Sequence, residues 1–87
     1  MAANYNKLKE YLASAKLENN TIRLTFDQIE TLIGDELPEA AHEYRTWWSN
    51  QIKGNEPQKE GWLKAGFMVI TVKFSENYVD FLKIGLK

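Results

Sequence analysis

The segment Arg45-Thr46-Trp47-Trp48-Ser49-Asn50-Gln51 gathers the side chains of this chain best suited to recognising another polymer. An arginine forks onto guanine, and Asn or Gln pairs with adenine, when a helix lies in the major groove. Arg45, Thr46, Ser49 and Asn50 are therefore candidate nucleic-acid contacts. Lys53, Lys59 and Lys64 follow closely and are candidate phosphate contacts. The opposing reading is structural: Trp47 and Trp48 fill a core while Ser49 and Asn50 end a helix. Arg45 itself is either a contact residue or the partner of Asp27, Glu30 or Glu43. Two acids, Glu39 and Glu43, precede it and would face the phosphates of any bound duplex.

Other chemistry has little support in the residue types. The chain has no cysteine and one histidine, which excludes disulfides, thiolate nucleophiles and Cys-based zinc sites. His42 lies near Glu39 and Glu43 with no nucleophile or metal-ligand spacing beside it, so a surface histidine is expected. The carboxylates Asp27, Glu30, Asp35 and Glu36 could supply an acid–base pair, but carboxylates near helix starts commonly compensate the helix dipole. No metal, no cofactor and no enzymatic activity are expected.

These side chains must be positioned by the elements around them. Thr25 and Gln28 have the spacing of a capping box, Gly34 suits a left-handed helix stop, and Pro38 suits the first turn of a following helix. A helix from about Phe26 to Ile33 is expected to bury Ile29, Leu32 and Ile33. A third helix is expected from Pro38 to about Asn50, with Leu37, Ala40, Ala41, Tyr44, Trp47 and Trp48 as its apolar stripe. Before them, Asn4 caps a helix over 4–15 with Tyr5, Leu8, Tyr11, Leu12 and Ala15 on one face. Glu18-Asn19-Asn20 turns into a short alternating strand, Thr21 to Thr25. After them, Lys53 to Pro57 is a loop. Asn55 and Gln58 repeat the cap spacing and open a short helix ending near Gly66, with Trp62 and Leu63 inward. Phe67 to Phe74 and Tyr78 to Ile84 form two strands joined at Ser75-Glu76-Asn77.

The expected fold is α+β, a winged helix-turn-helix-like arrangement in the order α-β-α-α-(short α)-β-β. Eighty-seven residues fit one domain, 1–87, and 44% hydrophobic with 26% charged is an ordinary globular composition. Eleven basic against twelve acidic residues is not the footprint of a strong nucleic-acid binder. The lysines at 53, 59, 64, 73, 83 and 87 outnumber Glu56, Glu60, Glu76 and Asp80 in the second half, so a local basic face is the requirement. The turn tip carries Glu76 where a DNA-binding wing usually carries a base. No apolar run reaches the roughly 20 residues of a membrane span, and the N-terminus lacks an apolar signal region. A cytoplasmic location is expected.

Leu24-Thr25-Phe26-x-x-Ile29-Glu30-x-x-Ile33-Gly34-x-x-Leu37-Pro38-x-x-Ala41-x-x-x-Arg45-x-Trp47-Trp48-Ser49-Asn50 is followed by Gln58, Trp62-Leu63-x-Ala65-Gly66-Phe67 and Val69. Together with Tyr5-x-x-Leu8-x-x-Tyr11-Leu12, this pattern resembles a small bacterial and phage domain of unknown function. The resemblance implies a prokaryotic or phage source and carries no established chemistry. The chain departs from it at Asn55-Glu56-Pro57, where relatives carry His and Ser. The leading expectation is a small nucleic-acid-binding module, with DNA as the partner. The alternative is a protein-binding module from a phage or mobile element, such as an inhibitor of a host defence nuclease.

Overall fold

The computed structural model describes residues 3–17, 19–51 and 56–84. The elements are α1 (Tyr5–Ser14), β1 (Thr21–Thr25), α2 (Phe26–Ile33), α3 (Glu39–Glu43), a 3₁₀ turn (Arg45–Trp48), α4 (Pro57–Leu63), β2 (Phe67–Lys73) and β3 (Tyr78–Lys83). The three strands form an open antiparallel sheet in the order β1-β3-β2, so the fold is α+β.

The start and stop signals around α2 act as their residue types require. Thr25 Oγ1 accepts from Gln28 N at 3.0 Å, and Gln28 Oε1 accepts from Thr25 N at 2.8 Å. Gly34 closes the helix at φ +77°, where an L side chain would be strained. Asn4 caps α1 by accepting from Asn6 N at 3.1 Å. The Thr25→Ala variant removes one half of the capping box and should cost about 1 kcal/mol. Urea unfolding measures this; a loss under about 0.3 kcal/mol would mean that the cap contributes nothing.

Burial of one face of each element builds the core. Leu8 and Leu12 of α1, Phe26, Ile29 and Ile33 of α2, and Trp62 of α4 pack over the inner face of the sheet, where Leu24, Phe67, Val69, Val79 and Phe81 point. An aromatic column runs through the middle. Phe26 stacks on Trp48 at 5.6 Å, Trp48 on Trp62 at 5.7 Å, and Trp62 tilts against Phe81 at 5.9 Å between ring centroids. Helices α1 and α4 approach closely at Gly61, where an added Cβ would lie 3.1 Å from the Tyr5 carbonyl oxygen.

The third helix is shorter than its periodicity predicts. It ends at Glu43, and Tyr44 is extended at φ −118°, ψ 119° before the 3₁₀ turn. Thr46, Trp47, Trp48, Ser49 and Asn50 are all middling helix formers, each about half a kcal/mol worse than Ala. Tertiary bonds outweigh that weak preference. The Trp48 indole N–H donates to the Ala41 carbonyl at 2.8 Å, and Asn50 is drawn to the sheet. Tyr44, expected in the apolar stripe, is 59% exposed as a result.

The turn joining β2 and β3 is also held down. The Asn77 carbonyl accepts from Phe26 N at 2.8 Å, and the Phe74 ring lies 6.5 Å from that of Phe26. Asn77 itself takes φ +60°, a left-handed value that Asn tolerates. Hence the Ser75-Glu76-Asn77 tip lies against the start of α2.

Candidate functional site

Residues 44–51 form a ridge anchored on one flank by its own Asn50 and on the other by Lys59 of α4. On one flank Asn50 brackets the edge of β2. Its Nδ2 donates to the Val69 carbonyl at 2.9 Å, while its Oδ1 accepts from Val69 N at 2.8 Å and from Trp62 Nε1 at 3.1 Å. In the antiparallel ladder Val69 faces its backbone groups away from β3, so the Asn50 amide takes the place of a neighbouring strand. Both lone pairs of that oxygen are used, and the carboxamide is a structural bracket.

On the other flank stands Lys59, only 2% exposed. Its ammonium donates to Ser49 Oγ at 3.0 Å, to the Gln51 carbonyl at 2.8 Å and to Glu56 Oε1 at 3.0 Å. Three donors meet three acceptors, which leaves none for a phosphate. The helical wheel holds a signal for this burial: Lys59 precedes Trp62 and Leu63 by three and four residues, on their face of α4.

Arg45 and Thr46 are exposed at the crest. Arg45 forms no ion pair among the described residues, so the pairing with Asp27, Glu30 or Glu43 is not made. Glu30 instead accepts from Leu37 N at 2.8 Å and ties α2 to the turn after it. His42 is 4.0 Å from that carboxylate and lies edge-on to Phe26 at 5.1 Å, with its side chain 41% exposed. Lys64 is exposed at the end of α4, 3.5 Å from Glu60, and lines neither cleft beside the ridge. Lys53 and Asn55 lie outside the described residues.

Two clefts border the ridge. One, of about 380 Å³, is lined by Arg45, Thr46, Trp48, Ser49, Asn50, Gln51 and Val69. The second, about 400 Å³, has Tyr44, Trp47 and Ala40 with Thr46 and the Lys59 cluster. The fold thus brings Arg45, Thr46, Ser49 and Asn50 together, as their spacing predicted, but gives the last two inward duties. Among the described residues no group of three or more His, Cys, Asp or Glu could hold a metal ion, and no helix is long and apolar enough to cross a membrane.

A protein-family profile matches residues 5–84, nearly the whole chain. The chain belongs to the family described as Domain of unknown function (DUF7662). That span runs from the first residue of α1 to the residue after β3, so the DUF7662 match includes every element around the ridge. No curated protein and no solved structure matches the chain.

Proposed function

We propose that this domain is a small non-enzymatic protein-binding module that docks through the ridge at residues 44–51. The observation that carries the reading is Arg45: an exposed guanidinium without an ion partner among the described residues, between exposed Tyr44 and half-buried Trp47. Tyr, Trp and Arg are the residue types that dominate binding energy at protein interfaces. The ridge beneath them is fixed by Asn50 and Lys59, so little ordering entropy is lost on docking. Its surroundings are of mixed charge, with Glu39 and Glu43 exposed just before Arg45. A continuous positive face, the requirement for nucleic acid, is not what those neighbours supply.

The test is affinity capture followed by direct binding to the captured protein. Tyr44→Ala and Arg45→Ala should each keep the wild-type melting temperature and weaken binding by about 1–3 kcal/mol. Unchanged binding by both variants would refute the ridge as the docking surface. A lowered melting temperature for Arg45→Ala would make that residue structural instead.

The second reading is a DNA-binding module with a winged helix-turn-helix-like fold. It is favoured by the strand order β1-β3-β2 and by the capped α2, Gly34 turn and α3 in sequence. Arg45, Thr46 and Lys64 remain as exposed contacts for it. Against it stand a five-residue α3, a tethered acidic turn tip and the buried Lys59. With Arg45 and Lys64 as the exposed cations named for this face among the described residues, affinity for a random duplex should be weak and should fall steeply with salt. Fluorescence anisotropy at low and physiological salt checks this; tight binding that persists at physiological salt would restore DNA as the leading partner.

A further inference from the structure

We infer that the cleft beside Arg45 is a receptor for a single carboxylate, supplied by an acidic side chain of the partner protein. This rests on the protein-binding reading and specifies what the ridge recognises. Among the described residues the lining of this cleft carries one cation and no acid: Arg45, Thr46, Trp48, Ser49, Asn50, Gln51 and Val69. Glu56 lines the second cleft instead and is engaged by Lys59.

The Asn50 amide is spent on Val69 and Trp62. Ser49 Oγ accepts from Lys59, which leaves its hydroxyl proton available to donate. Arg45 has its five N–H groups without an ion partner among the described residues, in the planar fork that matches a carboxylate. Gln51 and Thr46 add a carboxamide and a hydroxyl at the rim. A guanidinium fork in one cleft with the hydroxyls of Thr46 and Ser49 is a fitting seat for one carboxylate oxygen pair.

Charge decides between a carboxylate and a phosphate backbone. A duplex brings one negative charge per roughly 1.7 Å, so several phosphates would approach Glu39 and Glu43 together. Glu43 is two residues before Arg45, and Glu39 is a further turn of α3 away. One side-chain carboxylate can meet Arg45 alone, and its neighbours in the partner need carry no charge. Arg45 is the specificity residue of this site.

The test is an NMR titration of the isotope-labelled chain with two N-acetylated, C-amidated peptides, Gly-Tyr-Asp-Tyr-Gly and Gly-Tyr-Asn-Tyr-Gly, and separately with a random 12-base-pair duplex at physiological salt. The aspartate peptide should shift the Arg45 side-chain Nε–H and the Thr46 and Gln51 amides, and should bind at least ten times more tightly than the asparagine peptide. Arg45→Gln should remove that difference while its spectrum keeps the folded dispersion. Equal binding of the two peptides would overturn the carboxylate site and leave protein docking on the ridge intact. Shifts at the same residues with the duplex would overturn it in favour of phosphate, and protein docking with it. No shift with either peptide would also overturn the site, while the capture experiment with Tyr44→Ala still judges the docking reading.

Discussion

Trp62→Ala is expected to lower the free energy of unfolding by about 3–5 kcal/mol. Trp62 is 0% exposed and stands between Trp48 and Phe81 in the aromatic column. Removing its indole leaves a large void, and the rings on either side belong to different elements. They cannot collapse into it without moving the 3₁₀ turn against the sheet. The indole N–H that satisfies one lone pair of Asn50 also disappears. Against a total stability of roughly 5–15 kcal/mol for a domain, this one change could unfold the chain at physiological temperature. Urea denaturation followed by tryptophan fluorescence gives the number, with Trp47 and Trp48 as remaining reporters. A loss below about 1 kcal/mol would remove Trp62 from the core.

The second large effect is expected at Asn50, and it separates a structural bracket from a nucleic-acid contact. Asn50→Leu keeps the side-chain volume and deletes all three hydrogen bonds. It leaves Trp62 Nε1, Val69 N and the Val69 carbonyl without their partner, at about 1–3 kcal/mol for each buried group left unsatisfied. Water will reach part of the sheet edge, so a net loss of about 2–5 kcal/mol is expected. The variant should also expose Val69 backbone groups on the edge of β2, which favours association through that edge. Thermal melting and sedimentation measure the two consequences together. If Asn50→Leu melts with the wild type, the bracket makes no net contribution and the residue is free to serve as a contact.

Local signals in the sequence were sufficient for most of the elements. The Thr25–Gln28 spacing and Gly34 set the limits of α2 because caps act through backbone groups only a few residues away. The β-branched and aromatic runs at 67–74 and 78–84 found β2 and β3 to within one residue, since alternation needs only one buried face. The helical stripe of α1 likewise put Leu8 and Leu12 inside.

The candidate site was legible only in part. The wheel grouped Arg45, Thr46, Ser49 and Asn50, and the fold does bring them to one ridge. It could not show the break at Tyr44, because a heptad-like stripe reports preference for a helix and not the competing bonds of Trp48 and Asn50. Those bonds reach Ala41 and Val69, seven and nineteen residues away. Charge alone suits Lys59 to phosphate, whereas its place beside Trp62 on α4 points inward. Whether a lysine at such a position is buried depends on acceptors arriving from elsewhere, here Ser49, Gln51 and Glu56. By itself, then, the sequence determined the α+β class, the capped α2 and the two C-terminal strands, all of which rest on contacts short in sequence. Only the tertiary structure decided which polar residues of 45–59 hold the ridge and which face outward, because hydrogen bonds between separate elements have no period along the chain.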